Sequence, residues 1–196
     1  MTSVDWQWKL NEAIDRLKYH YEHIGRKSGY PFLGIVYPPE MERAVLKEWG
    51  ILSKSLEDEF DFRTIDILEV THSVVESVGV DTIVENIEEP MPGSNSEQEL
   101  GHMWVNKAAG EVTDCLIETS SDENKGSERK KVIVLTRLAA LYPAATPKQL
   151  MHTLWNSSNA NLTTPVVVLI PGTLIEKRVY KFVNKVREFM CRGDIL

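Results

Sequence analysis

The sequence predicts an α/β fold, a three-layer Rossmann-like domain with a small, mostly parallel sheet of about four strands flanked by helices. Three observations carry this. The runs at 132–135 (VIVL) and 166–170 (VVVLI) are apolar at every position, as strands buried on both faces are. Segments with helical apolar spacing alternate with such runs along the chain, the order of parallel strands joined by right-handed crossovers. Proline- and glycine-bearing breakers separate these segments.

The elements follow in order. Residues 4–24 read as a helix capped by Ser3, with Ala13, Ile14, Leu17, Tyr21 and Ile24 on one stripe; Trp6, Trp8 and Leu10 alternate, which leaves its first turn open. GRKSGY at 25–30 has the residues of a phosphate loop but precedes a strand instead of following one, so it reads as a turn. FLGIVY at 32–37 is the first strand. Pro38, Pro39 and Glu40 then open a helix with a stripe of Met41, Val45, Trp49, Leu52 and Leu56, ending near Asp58. Residues 60–70 read as a second strand, and Thr71 as the cap of a helix carrying Val74, Val75 and Val78 that Gly79 interrupts before Ile83, Val84 and Ile87. After the breaker-rich 88–95, Ser96 and Glu99 form a capping box ahead of a helix with Leu100, Trp104, Ala108, Val112, Cys115 and Leu116. The polar stretch 119–130 reads as a surface loop. The third strand is 132–135. Thr146-Pro147 caps a helix with Leu150, Met151, Leu154 and Trp155, and 156–164 is a polar loop. The fourth strand begins at Pro165 and ends in Pro171-Gly172. A terminal helix places Val179, Phe182, Val183, Val186 and Phe189 on one side and Lys177, Arg178, Lys181 and Lys185 on the other.

Length and composition bound the function. The 196 residues suit a single domain, with a helical segment over 1–30 and a core over 31–191. The net charge of −7 argues against bulk electrostatic coating of nucleic acid, which needs clustered cations. Cys115 and Cys191 lack metal or redox spacing, and a reduced compartment follows. The first ten residues lack the apolar run of a signal peptide, and the longest apolar run falls far short of the roughly 20 residues of a membrane span. The expectation is a cytoplasmic protein with no membrane association.

Chemistry is sought at the carboxyl edge of the sheet, where open α/β folds bind ligands. A nucleotide hydrolase needs a phosphate loop after one strand and a metal-binding acid after another. The first strand exits into Pro38-Pro39, and the third into Thr136-Arg137. No G-x-S-x-G elbow is present. His20 and His23 have ligand spacing but no third ligand beside them. These absences predict no enzyme, no cofactor and no metal. The alternative is a nucleotide- or small-molecule-binding enzyme using His72, Asp66 or Arg137, with Glu69 and His152 near the same edge. Contact with DNA through Lys181 and Lys185 is a third reading, weakened by the lack of base-stacking aromatics. The positions singled out are Arg137, Tyr142, His72, Lys181 and Lys185.

The segment 131–172 carries VIVLTRLAALYP, QLMHTLW and TPVVVLIPG: an apolar strand leading to Leu-Tyr-Pro, a short leucine-bearing helix, and Thr-Pro before a strand ending in Pro-Gly. It resembles the BrxB family of BREX bacteriophage-exclusion systems, and FLGIVYPPE agrees loosely with the family's N-terminal half. The chain departs from the family pattern after Pro-Gly, with Thr173 to Glu176 in place of an acidic, glycine-bearing turn, and ends without a tyrosine-rich stretch. The resemblance implies a non-catalytic adaptor that joins larger defence proteins, PglZ first among them. Self-association is compatible with that role.

Overall fold

The computed structural model describes residues 5–24, 31–122, 129–157, 163–190 and 193–196, with side chains described except at 118–122. The turn expected at 25–30, parts of the loops expected at 119–130 and 156–164, and Cys191 lie outside these residues. The helices are α1 (Asp5–His20), α2 (Glu42–Lys54), α3 (Ile67–Val78), α4 (Val80–Glu88), α5 (Ser96–Asp122) and α6 (Pro147–Ser157). The strands are β1 (Phe32–Tyr37), β2 (Phe60–Asp66), β3 (Lys130–Thr136), β4 (Val166–Glu176), β5 (Val179–Phe182), β6 (Val186–Phe189) and β7 (Asp194–Ile195). They form a seven-stranded sheet with the path β2-β3-β4-β1-β7, from which β5 and β6 branch as an antiparallel ribbon on β4.

The four expected strands are its parallel centre, in the order β2-β3-β4-β1. From β1 the chain crosses two strands to reach β2, then steps back through β3 to β4. Crossovers of one hand that run in opposite directions must lie on opposite faces. They do. Leu33, Ile35, Tyr37, Val132, Val134, Val167 and Leu169 face α1 and α2, while Phe32, Val36, Ile133, Leu135, Val166, Val168 and Ile170 face α3, α5 and α6. Alternate residues of each central strand therefore enter different cores, which is why the runs are apolar throughout.

Several boundaries depart from expectation for local reasons. Trp6 and Leu10 join the buried stripe of α1 with Ala13, Ile14 and Leu17, while Trp8 points outward. Lys9, also on that stripe, is buried because its Nζ donates to the Val36 carbonyl (3.0 Å) and lies 3.5 Å from Asp5. β2 stops at Asp66, short of residue 70, because the Asp66 carboxylate accepts from the Leu68 N–H (3.0 Å) and caps α3. Thr71, the expected cap, instead donates to Leu68 O inside the helix. Gly79 separates α3 from α4 with φ +90, a conformation that favours glycine. Asn95, one residue before the expected capping box, accepts from the Gln98 N–H (3.1 Å), and Ser96 donates to Asn86 O (2.5 Å). α5 then continues into the polar stretch as far as Asp122.

The largest correction is at the C-terminal end. Residues 179–189 form the β5–β6 ribbon, not a helix. Tyr180, Phe182, Glu188 and Met190 point inward and Lys181, Arg187 and Phe189 outward, the period of two of a strand pair. The connecting turn holds Val183 and Asn184 at φ 43 and 57, with Lys185 N–H donating to Phe182 O (2.8 Å). Two successive positive φ values are the geometry of the tight hairpin turn that matches strand twist. Nor does β4 end at Pro171-Gly172. Tyr37 is its last partner on β1, opposite Pro171, and β5 pairing starts at Gly172. A side chain on Gly172 would overlap the Lys181 carbonyl, so glycine is required where β4 changes partners. The chain finishes by adding β7 beside β1, an edge that the sequence reading did not contain.

Gly110, on the exposed face of α5, has open space where a Cβ would sit. Gly110→Ala should raise stability by about 0.5–1 kcal/mol through helix propensity alone, read as a higher urea midpoint.

Candidate functional site

At the carboxyl edge, Asp66 at the end of β2 lies in register with Thr136 at the end of β3. An acid does stand at this edge, one strand over from where a nucleotide hydrolase would be tested. Its oxygens are committed, however. Oδ1 caps α3, and Oδ2 lies 3.0 Å from Arg137 Nη1. Arg137 adopts φ 54, ψ 39, which is uncommon for a residue with a side chain. That twist turns the chain out of β3 into the 3-10 turn Leu138–Leu141, whose two leucines are fully buried. At the end of β1, the Tyr37 hydroxyl donates to Glu42 (3.1 Å). Burial first, then the adjacent Glu42 carboxylate, pushes the Tyr37 phenol well above its ordinary range. The tyrosine acts there as a neutral donor.

The expected positions do not converge. Arg137 and Asp66 are paired, but His72 lies on the solvent face of α3, its Nδ1 3.5 Å from Glu76. Tyr142 is 42 % exposed in the loop after β3, joined by a cis peptide to Pro143. Lys181 and Lys185 are exposed on the ribbon, one on β5 and one in its turn, so they are not the stripe of a helix. His152 is exposed on α6 beside Asn156, 3.2 Å away. His20 and His23 stack edge to face at 6.3 Å, and among the described residues no three His, Cys, Asp or Glu side chains could hold a metal ion.

The apolar positions expected after Gly79 lie on α4, but not in a core. None of its residues is buried. It packs on α3 and α5, with Ile83 half-buried, while Val80 (60 % exposed), Val84 (44 %) and Ile87 (53 %) face outward. Positions i, i+4 and i+7 share one helix face, so these side chains form a continuous apolar row, followed in sequence by exposed Met91. Asp81, Glu85 and Glu88 fall together on the flank next to Val84. Helical spacing with acids at 81, 85 and 88 was the available signal; what hid its meaning is that sequence alone does not separate an unpartnered stripe from a core stripe.

Among the described residues no helix is long and apolar enough to cross a membrane. Comparison with protein-family models, curated proteins and solved structures finds nothing that matches the chain.

Proposed function

We propose that the protein is a non-catalytic adaptor of a bacterial BREX-type anti-phage system, working in the cytoplasm and docking onto a larger component such as PglZ. The observation that carries docking is the α4 face. A row of Val80, Val84 and Ile87 that the fold leaves in water is the pattern of a helix laid into a partner's groove. The acids along one flank specify a basic rim on that side of the groove. The BREX assignment rests on the resemblance of 131–172. The pairing of Asp66 with Arg137 favours this reading over an enzyme at the carboxyl edge, because the charges there already satisfy each other.

The test uses the purified chain and a PglZ-like protein from the BREX gene cluster that the proposal requires beside its gene. The double substitution Val84→Ala, Ile87→Ala should weaken their complex at least about tenfold, roughly 1.4 kcal/mol, while changing folding stability by no more than about 0.5 kcal/mol. Affinity should also fall with salt, and Glu85→Lys with Glu88→Lys should lower it further. Failure to bind any neighbouring defence protein would remove the proposal, and binding that ignores the α4 substitutions would remove the docking face.

A further inference from the structure

A cavity of about 500 Å³ lies between α5, α6 and β6, separate from α4. That size is in the range of small-molecule sites. Val105, Met151 and Met190 form buried apolar parts of its wall. Glu188 supplies a carboxylate from β6 and is itself only 7 % exposed. Its Oε2 accepts from the Tyr180 hydroxyl (2.6 Å) and from the Lys148 backbone N–H at the start of α6 (3.4 Å). Both bonds fall on the same oxygen. Among the described residues Oε1 accepts none, and it is not among the atoms sealed from solvent. Lys148 lines the same cavity, and among the described residues its ammonium pairs with no carboxylate, Glu188 included.

The lining thus carries a carboxylate and an ammonium that do not pair with each other, together with buried apolar side chains. A simple cation would meet Lys148 and a simple anion would meet Glu188. A ligand carrying both charges answers both. A metal ion is a poorer fit, since Glu188 and the lining histidines His102 and His152 do not make a ligand set. We propose that this cavity binds a free α-amino acid with an apolar side chain. The ammonium donates to Glu188 Oε1, the carboxylate meets Lys148, and the side chain lies on Val105, Met151 and Met190.

The test is calorimetric titration and thermal shift of the full chain with L-methionine, L-leucine and L-phenylalanine at millimolar concentration. At least one should bind saturably and raise the Tm. N-acetyl-L-methionine, which lacks the ammonium, and L-methioninamide, which lacks the carboxylate, should each bind at least tenfold more weakly than L-methionine. Glu188→Gln should weaken amino-acid binding at least tenfold. Because that change also touches the α6 cap, Lys148→Ala at an exposed position provides a second variant, which should fold normally and lose carboxylate recognition. Absence of saturable binding by all three amino acids overturns the proposal. So does binding of either the acetyl or the amide analogue as tightly as L-methionine, or wild-type affinity in Lys148→Ala.

Discussion

Gly101→Ala should destabilise the protein by about 2 kcal/mol or more, although alanine is the better helix former by about 1 kcal/mol. Gly101 lies in the second turn of α5, where a Cβ would overlap the carbonyl oxygen of Ala144 and crowd Ala145. The obstacle is backbone, which cannot rotate away as the end of a flexible side chain can. α5 would have to back off from the loop that follows β3, loosening the core to which Val105, Leu141 and Ala145 all belong. Gly110→Ala, in the same helix but with open space around it, isolates the propensity term. The two variants should therefore differ by about 3 kcal/mol in urea unfolding, with m unchanged. Equal midpoints would mean that the close approach of α5 to this loop is absent. The contact also has a functional side, since His102 and Val105 line the cavity next to α6 and would move with the helix.

The parallel centre of the fold was legible because double burial leaves a plain mark. At 132–135 and 166–170 every side chain enters one core or the other, and the short, β-branched character of the runs favours a strand over a buried helix segment. Breakers fixed the starts of α2 and α6, and Thr146 does hold the Gln149 N–H (3.4 Å) as a cap residue should. Strand order was not legible, because it depends on which crossover passes over which strand. The ribbon was misread for a more specific reason. Val179, Phe182, Val183 and Val186 fit helical spacing, and Lys177, Lys181 and Lys185 fit the opposite face. The competing period of two needs Glu188 to point inward, and a carboxylate is not expected there until Tyr180 and the start of α6 are placed beside it. The turn added no warning, since Val183-Asn184 lacks the glycine that usually marks two positive φ values.

Of the candidate positions, the sequence identified the Arg137 and Asp66 neighbourhood but not that the two would pair. Their separation of 71 residues closes only when β2 and β3 align, Asp66 beside Thr136. α4 shows the opposite limitation. Its apolar spacing was visible, but an amphipathic pattern states which residues share a face and not what covers that face.

The ribbon gives the second large effect, and one that separates the two readings of 179–189. On a helix Phe189 would be inside with Val179, Phe182, Val183 and Val186; on the ribbon Tyr180 is fully buried and Phe189 is 48 % exposed. Tyr180→Ala should therefore cost about 3–5 kcal/mol, the range for removing a buried aromatic ring. Phe189→Ala should cost less than about 1 kcal/mol, because much of its ring is already in water. Tyr180→Phe divides the larger effect. It keeps the ring and removes only the hydroxyl that donates to Glu188 at 2.6 Å, for which a charged hydrogen bond predicts a loss of about 1.5–3 kcal/mol. Chemical denaturation of the three variants reads all of these values. A large cost at Phe189 with a small one at Tyr180 would restore the helix. The expected order, Tyr180→Ala above Tyr180→Phe above Phe189→Ala, ties the ribbon to α6 through one buried carboxylate. That same carboxylate leaves its second oxygen for a ligand, so stability and binding at Glu188 are separable: Tyr180→Phe loosens Oε2, whereas ligand recognition rests on Oε1.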